Sequence, residues 1–228
     1  MARHVLLSHS QLSEGLILSP ERYDPRRQVS FANHRSRNQV HVSDVATLKS
    51  STVNRQTKAE KDIMYVVLDA CDAKEGFLIA RKRPILQSQI GSSKKILKPG
   101  DVIISRLRPY LRQVAYIDEQ FFEQFGSEEV EVVGSTEFFV LRAEQGSDIA
   151  YLVPFLLSKA VQVALGASQE GGHHPRFNKE TLLGLPLPDK IRNQEAAISK
   201  DIHDAIRHYR ESDMLMSSAL LETEAMFC

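Results

Sequence analysis

The stretch GASQEGGHHPRFNKETLLGLPLP, residues 166–188, joins two differently built parts of the chain, and its reading decides how both are organised. Its first part, through Gly171-Gly172, is a flexible loop. Asn178 then offers a side-chain oxygen to the free N–H groups of Lys179-Glu180-Thr181-Leu182-Leu183, so the spacing predicts a short helix, with Gly184 as a left-handed stop. The prolines of Leu185-Pro186-Leu187-Pro188 forbid helix and hold the chain extended, which gives it one direction of exit. A long polar helix comes next. The layout is a folded module, residues 1–188, on a helical spacer, residues 189–228.

Upstream of that joint, Leu152, Phe155, Leu156, Ala160 and Val163 recur at helical spacing and predict a helix over about 149–165, capped by Asp148, kinked in its first turn or delayed in its start by Pro154, and ended by Gly166. Further back the pattern is that of strands. Met64-Tyr65-Val66-Val67-Leu68 and Phe77-Leu78-Ile79 flank a polar turn and read as a hairpin-like pair. Lys98-Pro99-Gly100 has the proline and glycine of a type II turn and leads into Val102-Ile103-Ile104-Ser105 and then Val114-Ala115-Tyr116-Ile117. Val130 to Val133 and Phe138 to Leu141 add two more. The expected fold is α+β, a mostly antiparallel, strongly bent sheet with flanking helices, followed by a long C-terminal helix.

A chain of 228 residues with 42% hydrophobic residues buries one real core. Lys and Arg together number 29, as do Asp and Glu, so the formal charge is zero and any polyanion surface must come from segregated charge. Segregation is present. In residues 1–61 the cations, Arg22, Arg26, Arg27, Arg35, Arg37 and Lys49 among them, exceed the anions by five, as a solvated entrance segment or a phosphate-contacting arm would. Between residues 81 and 112, Arg81, Lys82, Arg83, Lys94, Lys95, Lys98, Arg106, Arg108 and Arg112 face Asp101 alone. Asp118, Glu119, Glu123, Glu128, Glu129, Glu131 and Glu137 then appear with no cation between them. The run Arg106-Leu107-Arg108-Pro109-Tyr110-Leu111-Arg112 is densest, with guanidinium forks for phosphate or for the O6/N7 edge of guanine and Tyr110 to pack on sugar or base. The competing reading is a solvated hairpin tip whose arginines pair with the neighbouring glutamates.

Catalytic and metal chemistry find little purchase. Cys71 and Cys228 are too few for a disulfide scaffold or a cysteine zinc site. His173-His174 lack companions at ligand spacing and suit a polar, DNA-facing or packing role better than a metal. The sequence contains no Gly-rich phosphate loop ending in Lys-Ser/Thr, no Gly-x-Ser-x-Gly elbow, no Asn/Asp-Pro-Pro-aromatic motif of amino-methylating enzymes and no carboxylate-then-Glu-x-Lys nuclease pattern. No enzymatic activity, cofactor or metal is therefore expected. With no secretory signal and no apolar run near 18 residues, a soluble cytoplasmic protein is expected.

The order of these pieces resembles a target recognition domain of the specificity subunit of type I restriction-modification systems. The resemblance rests on KPGDVIISRLRPYLRQVAYI (98–117), STEFFVLRA (135–143), AYLVPFLLSKAVQ (150–162) and HPRFNKETLLGLPLPDKIRNQEAAI (174–198), and spans roughly residues 40–225 in order. It implies a non-catalytic subunit that reads one half of a split site on double-stranded DNA, with a helix that spaces it from a second such domain and docks a DNA methyltransferase subunit, and possibly a restriction subunit. A full specificity subunit resembles two such units in tandem, whereas this sequence shows no internal repeat and resembles half of one. A homodimer through antiparallel C-terminal helices would restore the pair and read a palindromic split site. The tip Leu107-Arg108-Pro109-Tyr110 is bulkier and more basic than the small, Gly-containing tips of that family.

On this reading the DNA-contacting residues are Arg81, Lys82, Arg83, Lys94, Lys95, Arg106, Arg108, Tyr110, Arg112, His173, His174, Arg176 and Lys179. Asn178 cannot both cap its helix and give its amide to a base, and the cap is favoured. The apolar stripe of the C-terminal helix, Ile198, Ile202, Ile206, Tyr209, Met216 and Leu220, either folds back on its own domain or pairs with another helix; the resemblance favours pairing. The alternative function is a protein-interaction adaptor whose working surface is that helix, without DNA sequence readout.

Overall fold

The computed structural model describes residues 39–56, 63–79, 81–126, 130–144, 146–170 and 174–227. The basic residues ahead of position 39, Lys58, Lys61, Glu128, Glu129, Gly171, Gly172, His173 and Cys228 lie outside the described residues. The expected bent sheet is two sheets meeting at a corner. In the first, β1 (Ala46–Lys49), β11 (Phe138–Ala143), β8 (Val102–Ser105) and β9 (Val114–Tyr116) lie in that order, antiparallel throughout. In the second, β2 (Thr52–Val53), β7 (Lys94–Ile96), β10 (Val130–Ser135), β3 (Met64–Leu68) and β6 (Ile85–Leu86) lie side by side, with β10 parallel to β3. The corner is the turn from β10 into β11, where Glu137 sits.

Side-chain alternation explains why β8 and β11 read as unbroken apolar runs. Val102 and Ile104, with Phe139 and Leu141, face the helical layer, whereas Ile103, Phe138 and Val140 face the second sheet. A strand covered on both faces needs apolar residues at every position, each adding about 2 kcal/mol of burial. The turn before β8 forms as read: Asp101 N–H donates to the Lys98 carbonyl at 3.1 Å and Gly100 has φ +88°. The expected hairpin of residues 64–68 with 77–79 does not form. β3 is a central strand between β10 and β6, and β5 (Phe77–Leu78) turns back on β4 (Ala73–Lys74) instead. Tyr65 is buried on one face of β3 and Val66 and Leu68 on the other, as in a strand covered on both faces inside a larger sheet and unlike a hairpin with one face in water.

The helical layer also departs from the expected single helix. Residues 149–165 form α2 (Leu152–Leu157) and α3 (Lys159–Ala167), broken at Ser158, whose hydroxyl caps Val161 N–H at 3.4 Å. Of the two effects expected of Pro154, the delayed start is the one found: the helix begins at Leu152, which puts Pro154 in the first turn, where its missing N–H has no helical acceptor. Gly166 lies inside α3 rather than ending it. Asn178 caps α4 (Lys179–Leu183) as expected, accepting from Thr181 N–H at 2.9 Å. Gly184 is not left-handed; its φ is −80°, and it is small because a Cβ there would lie 3.0 Å from the Glu180 carbonyl oxygen. The Leu-Pro-Leu-Pro exit is extended and pinned: Val42 N–H donates to Leu185 at 3.1 Å, Leu187 N–H to Val40 at 2.8 Å, and both leucines are buried.

After α5 (Asp189–Arg192), α6 (Glu195–Ala225) runs 31 residues, a rod of about 47 Å at ~1.5 Å per residue. Its first half folds back on the module. Ile198 and Ile202 pack on the main core, Ile206 is buried, and Tyr209 stacks on Phe77 with ring centres 4.9 Å apart. Four positions of the stripe assigned to a partner helix, Ile198, Ile202, Ile206 and Tyr209, are therefore already covered by their own domain, which corrects that assignment for them. The Ser199 hydroxyl accepts from Tyr151 N–H at 3.2 Å, and His203 lies 2.8 Å from Asp148. Arg210 bonds Asp118, the N-cap of α1 (Glu119–Glu123), and Arg81 pairs with Asp213. Beyond Asp213 the side chains Met214, Leu215, Met216, Leu220, Leu221, Met226 and Phe227 are exposed.

Candidate nucleic-acid interface

Two loops from distant parts of the sequence converge at the corner between the sheets. One leaves β8 at Arg106; the other carries Arg176 towards α4. They meet edge to edge, Leu107 bridging Arg176 and the Phe177 N–H donating to the Arg106 carbonyl at 3.2 Å. Arg106 N–H in turn donates to the Glu137 carbonyl at 3.0 Å. Backbone pairing thus fixes all three residues before their side chains are considered.

The side chains close around Glu137. Arg106 Nε donates to Oε2 at 2.8 Å, and Arg176 binds side-on, NH2 to Oε1 at 2.7 Å and Nε to Oε2 at 3.0 Å. Lys95 lies at the same corner, its ammonium donating to the Phe138 carbonyl at 2.6 Å and sitting 5.6 Å from the Phe139 ring centre. Burial, and then Arg106, push the Lys95 pKa down. The Arg176 hydrogen bonds foremost, helped by Arg106, hold the Glu137 carboxyl down at about 2. One carboxylate facing Lys95, Arg106 and Arg176 leaves the corner cationic.

That depressed pKa has a sign for stability. A carboxyl ionising near 2 when folded and near 4.5 when unfolded contributes stability above about pH 4.5, and that contribution is lost as pH falls towards 2. Glu137→Gln is therefore expected to lose about 2 kcal/mol at neutral pH, with the gap to wild type closing in acid. Urea titrations at about pH 7 and about pH 3 measure it; a gap that widens in acid would contradict the ion-pair account.

The remaining cations fall into distinct places. At the tip, Arg108 and Arg112 both have left-handed backbone, φ 44° and 54°, flanking the turn Pro109–Leu111. Arg112 is an anchor: NH1 donates at 2.8 Å to the Leu157 carbonyl at the C-terminal end of α2, and Nε lies 3.5 Å from Glu75. Arg108 is exposed, with no charged partner among the described residues, and Tyr110 is 69% exposed. Lys94 lies on β7 beside Lys95, half-buried. His174 is exposed on the second loop and Lys179 at the start of α4, 3.8 Å from Glu180. Arg81 and Lys82 are engaged elsewhere, Arg81 with Asp213 of α6 and Lys82 with Asp69 and Asp72 at 2.9 and 2.5 Å. Arg83, next to them, is exposed.

The structure thus gathers Lys95, Arg106 and Arg176 at one corner, with the exposed Arg108 and Tyr110 at the tip of the loop that leaves it, whereas Lys94, the next residue on β7, leaves the opposite face of its strand. The pairing of Arg106 with a glutamate of the acidic stretch matches the competing sequence reading, yet that glutamate holds two arginines at once. Glu137 was missed as a site residue because it reads as one more member of an acidic run. Its one local signal is its place in the turn ahead of an apolar strand. Among the described residues no cluster of three or more His, Cys, Asp or Glu is arranged to hold a metal ion, and no described helix is long and apolar enough to cross a membrane.

No protein-family model matches the sequence, and no curated protein matches it. Solved structures do. A chain from a study of complex assembly and conformational transition of the type I R-M system aligns at TM-score 0.55 and 20% identity, and the HsdS subunit from Thermoanaerobacter tengcongensis at TM-score 0.51 and 22% identity. Each alignment covers 82% of this chain. The chain has the HsdS fold. The resemblance read in the sequence holds at the level of architecture: mixed α+β, antiparallel sheets and the long C-terminal helix, as in HsdS. The chain spans less than half the length, 46%, of each of those two chains.

Proposed function

We propose that this chain is a DNA sequence-specificity subunit, non-catalytic and cytoplasmic, that directs a restriction-modification complex to its target. The observation that supports this most is the meeting of the Arg106 and Arg176 loops around Glu137 within an HsdS fold. Exposed cations and Tyr110 around the corner hold the phosphate backbone of double-stranded DNA, while the corner reads base edges. Residues 1–188 form the recognition domain and 189–228 the spacer. The methyltransferase subunit, and with it a restriction subunit, docks on the spacer side. The distal part of α6, with Met216 and Leu220 exposed, pairs with the same segment of a second copy, giving a two-fold dimer that reads a palindromic split site.

The experiment is enrichment of a random duplex DNA pool on the purified protein, alone and with its modification subunit, at near-physiological salt. Recovery of one recurrent motif is the expected result, in two inverted copies if the protein dimerises. Arg108→Ala with Tyr110→Ala is the control, since both side chains are exposed and neither holds the fold; it should weaken binding to all duplexes and lower the salt slope by about one. Failure to enrich any sequence in either form would favour the adaptor reading, in which the exposed distal face of α6 is the working surface.

A further inference from the structure

We infer that Glu137 is a positioning residue for base readout: it fixes the Arg106 and Arg176 guanidiniums in one orientation and leaves their outer N–H groups to bind the paired acceptors of guanine. The inference rests on the DNA-recognition reading and adds to it which residues read and what they read.

The hydrogen bonds divide each guanidinium into a used and an unused edge. In Arg106 the Glu137 carboxylate takes Nε, and both terminal nitrogens have no partner among the described residues. In Arg176 it takes Nε and one N–H of NH2, while NH1 gives one N–H to the His174 carbonyl at 3.0 Å. Each terminal nitrogen carries two N–H groups, so one remains on each. The carboxylate is also better covered than the groups it holds, 21% exposed against 36% for Arg106 and 38% for Arg176. That is the arrangement of a support with its supported groups facing outward.

The charge balance chooses the ligand. A flexible arginine aimed at phosphate needs no anion behind it, and a carboxylate there repels the incoming phosphate. A guanine edge is neutral, so its O6 and N7 acceptors gain the two donors without that repulsion. The planes are held from the side chain by Glu137 and from the main chain by the pairing of Arg176 with Glu170, at 2.8 and 2.9 Å, so little rotamer freedom remains to be lost on binding.

The test uses the enriched duplex, resynthesised with each guanine in turn replaced by 7-deazaguanine, which removes N7 but keeps base pairing. Wild type, bound to its modification subunit, should lose about tenfold in affinity at one or two guanines. Arg106→Lys and Arg176→Lys keep the charge and lose the fork, so each should erase sensitivity at one guanine while leaving the salt slope unchanged. Glu137→Gln should erase it at both, with thermal melting confirming that the variant is folded at the assay temperature. If Glu137→Gln instead tightens binding to every duplex alike and keeps the deazaguanine effect, the carboxylate is only an electrostatic brake and the inference is wrong, while DNA recognition stands. Lysine variants that retain the effect overturn it equally. If wild type enriches no sequence, the recognition reading falls, and this inference with it.

Discussion

Asp118→Ala is expected to lower the unfolding free energy by about 4 kcal/mol and to release the middle of α6 from the module. Asp118 serves two elements at once. Its Oδ1 accepts from Phe121 N–H at 2.9 Å, capping α1, and its carboxylate takes Arg210 Nε at 3.1 Å and NH2 at 2.6 Å. The pair is well covered, 13% and 9% exposed, and Arg210 also lies 5.2 Å from the Phe121 ring and gives NH1 to the Leu78 carbonyl at 3.0 Å. Removing the carboxylate costs about 1 kcal/mol as a cap and about 3 as the partner of a covered guanidinium. Hydrogen exchange in α6 should rise around Arg210 more than around Ser199, which Tyr151 N–H still holds. Adding Arg210→Met should restore part of the loss, because it removes the orphaned charge. A loss under about 1 kcal/mol would show that water already screens the pair.

The second large effect belongs to Arg142. Asp101 is fully buried and accepts from Arg142 Nε at 2.6 Å and NH2 at 2.7 Å, and from Lys98 N–H at 2.8 Å. Those bonds tie the turn ahead of β8 to β11, the strand beside it. Arg142→Ala strands a buried carboxylate with one backbone donor, an expected loss of about 4 kcal/mol in denaturant titration. Arg142→Lys keeps the charge but not the two-pronged geometry and should lose about 2. If lysine matched arginine, the pair would be acting as charge alone, and the turn would have to be held by its proline and glycine.

Where the physics is local, the chain declared itself. The Pro99-Gly100 turn, the strand at Val102, the Asn178 cap and the Leu-Pro exit each depend on residues within a few positions of one another. Partners distant in sequence were less legible. Nothing near Met64-Leu68 says that its neighbours are β10 and β6, because the pairing with β10 is parallel and leaves no turn to read, and the antiparallel pairing with β6 spans the intervening β4 and β5. Ser158 shows the limit on a smaller scale: a good N-cap in mid-pattern breaks a helix whose periodicity runs on unperturbed. The stripe on α6 was visible, but apolar spacing states that a face must be covered without stating by what. Glu137 was the least legible, since its role exists only once residues from three separate segments have met.

The pinning of Val42 to Leu185 also sets an order of events as the chain is made. The main core holds Val42 and Ala46 from one end together with Leu182, Leu185 and Leu187 from the other, and β1 pairs with β11 across a separation such as the 95 residues between Thr47 and Arg142. Contacts that distant form late and slow the rate-limiting step. While the ribosome is still extending the chain, the β8 and β9 hairpin can zip alone, but β1 has no neighbour until β11 has emerged, and the helical layer has no lid until the Leu-Pro strap arrives. The module therefore completes itself only with its last extended segment: a nascent chain stalled before β11 would present an unpaired β1 edge to chaperones, and one stalled between β11 and residue 187 would present the uncovered face of the helical layer.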